Sequence, residues 1–175
     1  HPSIGDIVRF SEDISHSFSD IAEKKGIKFS FTSNVDSLEI YFDKDKIEKI
    51  LFNLLSNAFK YTHDEGTVTC NLQYNAPTGL APGDSSELPG NDGWISIEVI
   101  DTGIGIPADQ QEKIFERFFQ TDVPESMVNQ GTGIGLAITK EFVKLHNGII
   151  TVKSEPEKGT CFTVLIPGKK IYESV

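Results

Sequence analysis

The segment DTGIGIP at residues 101–107 decides the fold of this chain, together with the segment GTGIGL at residues 131–136. Both are glycine-rich, and glycine lets the backbone approach a flat or phosphorylated ligand where a Cβ would clash. The second segment runs directly into an apolar-periodic stretch from Ile134 to Leu145. Its backbone N–H groups would therefore lie at a helix N-terminus, which is a natural phosphate site. One glycine-rich turn is weak evidence, but the pair, with the polar helix described below, predicts a nucleotide pocket.

Length and composition set limits on the class of protein. We expect a single domain over residues 1–175, long enough to bury a substantial core. The formal net charge of −10 argues against non-specific binding to nucleic acid or to an anionic membrane surface. Cys70 and Cys161 lack the spacing of a metal site, and we expect buried free thiols, although the two could pair. The sequence contains no signal peptide and no apolar run of membrane-spanning length.

Hydrophobic periodicity predicts the order helix, two strands, helix, two strands, helix, loop, helix, two strands. The first helix carries apolar residues from Ile7 to Ile21 and stops at Gly26, and a short helix runs from Pro107 to about Phe115. Because hairpins dominate, we predict an α+β two-layer sandwich whose mixed or largely antiparallel sheet has helices on one face. The strands do not alternate singly with helices and no G-x-x-x-x-G-K-[ST] string occurs, which disfavours Rossmann and P-loop folds.

The helix predicted from Asp43 to Tyr61 carries two stripes when its residues are placed about 100° apart. The apolar stripe consists of Ile47, Ile50, Leu51, Leu54 and Ala58. The polar stripe consists of Asn53, Asn57, Lys60 and Tyr61. An asparagine carbonyl can complete the oxygen shell of Mg²⁺, a lysine offers charge to phosphate, and a tyrosine offers a hydroxyl. The alternative is that the two asparagines cap local backbone groups and that the lysine is solvated.

Asp101 follows directly on the predicted buried strand from Ile95 to Ile100. A carboxylate at the mouth of an apolar pocket can accept a hydrogen bond from the exocyclic amine of adenine, whereas guanine has a carbonyl at that place. Taken in isolation, Asp101 is equally consistent with an aspartate that begins a turn and binds its own loop amides.

Several segments resemble, in order, the sequence boxes of sensor histidine kinases. The similar segments are NLLSNAFKYT at 53–62 for the N box, 101–107 for the G1 box, FERFF at 115–119 for the F box, 131–136 for the G2 box, and KGTCF at 158–162 for the closing hairpin. The chain therefore resembles the catalytic ATP-binding domain of a histidine kinase. The resemblance implies the Bergerat-type ATP-binding fold, which gyrase B, mismatch-repair ATPases and heat-shock chaperone ATPases share.

Position by position, the resemblance implies a site for ATP and Mg²⁺. Asn57 would bind the metal, Asn53 would support the metal–phosphate site, and Lys60 and Tyr61 would contact phosphates and sugar. Asp101 would accept from the adenine amine, with Thr160 supporting Asp101 directly or through water. Contacts along the base and the phosphates would come from Gly103, Gly105, Ile106, Gly131, Thr132, Gly133, Ile134, Gly135 and Leu136.

The resemblance also implies a mobile lid over ATP, from about Pro107 to Gln130. Aromatic residues would anchor this lid, namely Phe115, Phe118 and Phe119. Many members of the family end the F box with a basic residue, where this chain has Gln120. Arg117 is therefore the candidate for a phosphate contact from this box.

The phosphoacceptor of the family is a histidine followed by an acidic residue on a two-helix dimerisation domain. Of the 4 histidines here, only His63 precedes an acidic residue, and it lies just past the N-box helix. We therefore expect the dimerisation and phosphoacceptor domain to lie upstream of residue 4. That domain and a response regulator receiver are the expected protein partners, and nucleic acid is not. We expect a monomeric cytoplasmic domain from a homodimeric parent in the inner membrane.

Two other functions stay open at this point. An ATPase clamp of the gyrase or chaperone kind would need a general-base carboxylate to activate water. Such ATPases carry an acidic residue one turn before the metal-binding asparagine, where this chain has Asn53. A degenerate domain that binds nucleotide weakly and serves as a regulatory module would show low ATP affinity with and without Mg²⁺.

Overall fold

The computed structural model describes residues 1–76, 93–120 and 133–168. The N-terminal elements are β1 (Ser3–Asp6), α1 (Ile7–His16), α2 (Ser19–Lys25), β2 (Lys28–Ser33), β3 (Glu39–Phe42) and α3 (Lys44–Tyr61). The remaining elements are β4 (Thr67–Asn75), β5 (Trp94–Asp101), a short 3₁₀ helix (Lys113–Phe115), α4 (Gly135–Leu145), β6 (Ile149–Glu155) and β7 (Gly159–Pro167).

The main sheet has five strands in the order β2-β4-β5-β7-β6. The β2–β4 pair is parallel, and the other neighbouring pairs are antiparallel. The predicted mixed sheet and α+β class are therefore confirmed. A separate two-stranded antiparallel sheet joins β1 to β3. The sequence analysis missed β1, because a strand of only four residues has too few positions to show an alternating pattern.

The core lies between the main sheet and α3. Every member of the predicted apolar stripe of α3 is at most 3% exposed, and Leu55 and Phe59 from the same helix are also fully buried. Buried side chains from the middle strands complete this layer, including Leu72, Ile95, Ile97, Val99 and Val164. The opposite face of the sheet is polar, where Asn71 Nδ2 donates to Glu98 Oε2 across 3.2 Å. Burial of each of these aliphatic side chains contributes about 1.5–3 kcal/mol, so α3 is fixed firmly against the sheet.

The N-terminal helical region is two helices, not the single helix that the sequence predicted. The break falls at Ser17 and Phe18, between α1 and α2. The side chain of Ser17 donates to the carbonyl of Ile14, which competes with continued helical bonding. Phe18 then turns inward and stacks on Phe59 with a ring-centroid distance of 5.5 Å. The predicted stop at Gly26 is confirmed, since Gly26 caps α2 with a left-handed φ of 63°.

The helix predicted from Pro107 to Phe115 is also wrong in its details. Residues 108–112 form turns, and only Lys113–Phe115 are helical, as a 3₁₀ helix. Most bonds here join residues three apart, as in Gln110 N to Pro107 O at 2.9 Å and Lys113 N to Gln110 O at 3.0 Å, and a single α-type bond runs from Ile114 N to Gln110 O at 3.1 Å. Within this segment the side chain of Gln111 binds the backbone carbonyls of Ile106 and Ser154, as described below.

Both cysteines are free thiols, as predicted, with Cys70 buried and Cys161 half-buried. Burial raises the pKa of the Cys70 thiol to about 11. Within residues 1–76, 93–120 and 133–168, none of the helices combines the length and the apolar character needed to cross a lipid bilayer.

Candidate functional site

Asp101 is the last residue of β5, in the centre of the main sheet, and its neighbours across the strands are Val68 and Thr160. It is only 7% exposed. Its Oδ1 atom accepts from Gly103 N at 2.8 Å and from Thr160 N at 3.2 Å. Burial raises the pKa of the Asp101 carboxyl to about 6, against the lowering effect of these two hydrogen bonds.

The two carboxylate oxygens of Asp101 have different surroundings. Oδ1 accepts from one amide of its own loop, that of Gly103, which is the turn-forming role considered from sequence. The hydrogen bonds from the described residues all go to Oδ1, so Oδ2 can accept from another group. The contact with Thr160 is made by its backbone N–H, while its hydroxyl lies 2.8 Å from Ser154 Oγ.

Gly103 and Gly105 are required by the protein itself. A Cβ on Gly103 would lie 2.3 Å from the carbonyl oxygen of Tyr61, and one on Gly105 would lie 2.0 Å from that of Glu155. Gly105 also has a φ of +71°, which disfavours other residues. The sequence analysis attributed these glycines to a close approach by a ligand. Internal packing is sufficient to explain both.

The loop of residues 101–107, which we call the G1 loop, is tied to its surroundings by residues that the sequence analysis missed. Ile106 N donates to Ser154 Oγ at 2.8 Å, and Gln111 Nε2 donates to the Ile106 carbonyl at 2.9 Å. Ile104 N donates to the Tyr61 carbonyl at 3.1 Å. Neither Ser154 nor Gln111 shows a sequence signal. Ser154 lies 48 positions from Ile106 inside an ordinary strand pattern, and Gln111, although close in sequence, is one of several polar residues in its segment.

Two positions on α3 contact the two glycine-rich segments. Near the middle of α3, Asn53 Nδ2 donates to the Gly135 carbonyl and to Thr139 Oγ1, each at 3.2 Å. At its C-terminal end, the Tyr61 carbonyl accepts from the G1 loop. Asn57 lies between these contacts, and the described residues form no hydrogen bond with its side chain. The structure therefore brings the predicted N-box, G1 and G2 residues together along one helix.

Lys60 adds positive charge to this side of α3. Its Nζ atom lies 5.0 Å from the centroid of the Tyr61 ring. In the described part of the chain, His, Cys, Asp and Glu side chains do not gather in groups of three that could hold a metal ion. Any divalent cation here would consequently depend on amide oxygens and on oxygens of a ligand, which is the pattern that Mg²⁺ accepts.

No side chain among the described residues caps the N-terminus of α4. Its N-cap residue is Ile134, and the first turn contains no acidic residue. By contrast, Asp6 and Asp43 cap the N-termini of α1 and α3. The first N–H groups of α4 can therefore bind an anion. Of the predicted G2 residues, Gly133, Ile134, Gly135 and Leu136 are described and half-buried, whereas Gly131 and Thr132 lie outside the described residues.

The F-box residues have different environments. Phe115 packs edge-on against Phe162 with ring centroids 6.2 Å apart, and Phe119 is partly buried against the core. Phe118 is 73% exposed, so it does not anchor the segment in this structure. Its backbone N–H donates to the Gly133 carbonyl at 2.9 Å, which joins the F box to the G2 segment just before α4. Arg117 is exposed, and residues 121–130 of the predicted lid lie outside the described residues.

His146 has a structural role. Its Nε2 atom accepts from Asp43 N at 3.3 Å, and Nδ1 lies 2.8 Å from the Phe142 carbonyl. A carbonyl can only accept, so Nδ1 carries the proton and Nε2 provides the lone pair. The ring therefore joins the end of α4 to the start of α3, and neither nitrogen is left to act as a nucleophile.

Comparison with known sequences gives a family match over most of the chain. The family described as "Histidine kinase-, DNA gyrase B-, and HSP90-like ATPase" matches residues 42–170. Histidine kinase P4 of Formosa agariphila is 34% identical over 166 residues, which cover 93% of this chain and 11% of that protein. Sensor histidine kinase TmoS of Ectopseudomonas mendocina is 38% identical over 162 residues, covering 93% and 15% respectively. The chain thus spans about an eighth of the length of these relatives.

Solved structures share the fold. The nucleotide-free catalytic domain of histidine kinase ThkA superposes with a TM-score of 0.76 at 24% identity, covering 97% of this chain and 99% of that one. Full-length ShkA in complex with AMPPNP gives 0.77 at 26% identity, covering 97% and 32%. ThkA in complex with the response regulator protein TrrA gives 0.71 at 22% identity, covering 96% and 42%.

Proposed function

This chain belongs to the histidine kinase-, DNA gyrase B- and HSP90-like ATPase family, and on that premise we propose that it is the catalytic domain of a sensor histidine kinase. Membership in an ATPase family implies ATP binding. The proposed reaction transfers the γ-phosphoryl group of ATP to a histidine on a separate helical domain. Relatives named as histidine kinases support this choice within the family.

One observation carries the proposal, namely the contact of α3 with both glycine-rich segments. Asn53 touches the start of α4, and the Tyr61 carbonyl holds the G1 loop. A nucleotide lying along α3 would meet Asp101 at one end and the uncapped N-terminus of α4 at the other. The adenine amine needs a hydrogen-bond acceptor, which Asp101 would supply. The phosphates need donors, which the first N–H groups of α4 would supply.

We assign the base contact to Asp101, whose Oδ2 would accept from the adenine amine. Gly103, Gly105 and Ile106 would contact the base through their backbone, and Thr160 would steady Asp101. Tyr61 and Lys60 would contact the sugar and phosphates. Arg117 and Phe119 would approach from the F box, and Gly131 to Leu136 from the G2 segment.

The residues present fit a magnesium ion that arrives with ATP. The Asn53 amide nitrogen is engaged by α4, which turns its Oδ1 away from that contact, and Asn57 is unengaged among the described residues. We propose Asn57 as the metal ligand with Asn53 in support. When bound, Mg²⁺ supplies charge neutralisation on the phosphates, and few protein ligands suffice for it.

Catalysis would rest on positioning rather than on a covalent intermediate with this chain. The uncapped N–H groups of α4 and the charge of Lys60 would hold the phosphates, while Asp101 would fix the base. The attacking imidazole would come from the separate helical domain. His146 is not a candidate, since both of its ring nitrogens are used structurally.

The partners proposed are a dimerisation and phosphoacceptor domain upstream in the parent chain and a response regulator receiver. The complex of ThkA with TrrA is a precedent for the second partner in a protein of the same fold. Because ATP is the substrate, we propose that the domain acts in the cytoplasm. We propose a homodimeric parent anchored in the inner membrane, with this domain monomeric by itself.

The test combines binding with phosphotransfer. Titration calorimetry with the 175-residue chain should give tight binding of ATP with Mg²⁺ and clearly weaker binding with EDTA. Radiolabelled ATP with an added acceptor domain of the parent should label the acceptor histidine and release little inorganic phosphate. Rapid phosphate release without labelling would favour an ATPase clamp, and weak binding regardless of Mg²⁺ would favour a regulatory module.

A further inference from the structure

The hydroxyl of Ser154 joins the G1 loop to the start of β7. We call Ser154 and Gln111, with the hydrogen bonds that they make to this loop and to β7, the junction. The Ser154 hydroxyl accepts from Ile106 N at 2.8 Å, donates to the Gly159 carbonyl at 2.9 Å, and lies 2.8 Å from Thr160 Oγ1. A serine hydroxyl has one proton and two lone pairs. With its proton directed to Gly159, it accepts from both Ile106 and Thr160, so its hydrogen-bonding capacity is fully used.

Gln111 binds the same loop residue, Ile106. Its Nε2 atom donates to the Ile106 carbonyl and to the Ser154 carbonyl, each at 2.9 Å. The backbone N–H of Ile106 is therefore bound by Ser154 and its carbonyl by Gln111. Both groups of one loop residue are fixed by side chains that have no position in the binding site proposed above.

This junction reaches Asp101 by two routes. One route runs through the G1 loop, where Gly103 N and Asp101 Oδ1 close a turn at 2.8 Å. The other runs through Thr160, whose hydroxyl meets Ser154 and whose N–H donates to the same Oδ1 atom at 3.2 Å. Of the two residues whose N–H groups bind Asp101 Oδ1, Ser154 contacts Thr160 directly and reaches Gly103 only through the G1 loop, which it binds at Ile106.

We propose that Ser154 and Gln111 are positioning residues for nucleobase recognition, which hold the Asp101 carboxylate in the orientation that accepts the adenine amine. The inference rests on the proposed function, because it concerns the same site. A preorganised acceptor binds more tightly than one that must be ordered on binding. Loosening the junction should therefore weaken recognition of the base specifically, and leave contacts to the phosphates unchanged.

Ser154→Ala and Gln111→Met remove the hydrogen bonds at similar volume. The matched control is Thr151→Ala, which deletes a hydroxyl from an exposed position on the same strand, β6. Affinities for ATP and GTP, both with Mg²⁺, are measured by calorimetry for the 175-residue chain, and thermal melting is recorded in parallel. We expect ATP binding to weaken about fivefold in either junction variant, with GTP binding unchanged, as for the loss of one net hydrogen bond.

Asp101→Asn supplies the second measurement. In that background Ser154→Ala should weaken ATP binding no further, because the contact that the junction orients is already lost. Equal weakening for ATP and GTP, or lower melting temperature with unchanged ATP-to-GTP selectivity, would show a merely structural role and overturn the inference. A wild-type chain without preference for ATP would overturn the proposed base contact first, so the two failures are distinguishable.

Discussion

Replacing Asp101 by asparagine is expected to stabilise the nucleotide-free chain above pH 6 while weakening its binding of ATP. Burial raises the pKa of this carboxyl from 3.8 to about 6. The folded chain therefore holds a proton at pH values where the unfolded chain has lost it. It follows that the carboxyl favours folding below pH 3.8, and that this contribution is lost as the pH rises through about 6.

The magnitude follows from the difference between these two values. At about 1.4 kcal/mol for each pKa unit, the ionised carboxylate costs the folded state on the order of 3 kcal/mol at pH 8. Asparagine keeps an oxygen for the amides of Gly103 and Thr160 and carries no charge to desolvate. In the proposed site ATP would offset this cost, because the adenine amine would donate to the second oxygen.

Urea unfolding of the wild type and of Asp101→Asn between pH 4 and 8 tests this reasoning. The free energy of unfolding of the variant, relative to the wild type, should rise by about 2–3 kcal/mol across this range. Other carboxyl groups titrate in both proteins and cancel in the difference. A difference that does not change with pH, or a variant that loses relative stability as the pH rises, would refute the assigned role of burial.

Three further outcomes are expected. Asn57→Ala should abolish most of the difference in ATP affinity between Mg²⁺ and EDTA, measured by calorimetry, whereas retention of that difference would remove Asn57 from the metal site. Gly105→Ala should lower the free energy of unfolding by about 2–4 kcal/mol, since its Cβ would meet the Glu155 carbonyl, and a melt like that of the wild type would contradict the geometry. Lys25→Met should lower the free energy of unfolding by about 1–2 kcal/mol, because Lys25 Nζ donates to carbonyls at the end of α3. Urea unfolding measures the change, and Lys24→Met, at an exposed position, is the control that should leave stability unchanged.

The parts of the fold that could be predicted from sequence are those with regular periodicity. The two stripes of α3 follow from its 3.6-residue repeat, and the buried strand that ends at Asp101 follows from its apolar run. The break between α1 and α2 was not predictable, because it depends on Phe18 stacking against Phe59, which is distant in sequence. Tertiary packing overrides local propensity at such points.

Some residues of the candidate site could likewise be predicted from the sequence, and others could not. Residues that point to a ligand by chemical type, such as Asn57 and Asp101, could be proposed from the sequence together with the family resemblance. The supporting residues could not, since Ser154 reaches Ile106 across 48 positions of sequence and has no distinctive neighbours. The reason for the glycine at position 105 was likewise hidden, because it depends on the carbonyl of Glu155 in β6.

The position of Asp101 between β4 and β7 also has a consequence for the order of folding. Its Oδ1 atom is bound by Thr160, which follows 59 positions later in the chain. During synthesis, β4 and β5 can pair as soon as both have emerged, but the acceptor is not assembled until β7 docks beside them. Contacts of such long sequence separation form late and slow the folding of the whole domain. Nucleotide, which stabilises only the state that binds it, can therefore act only on chains that have already completed the sheet.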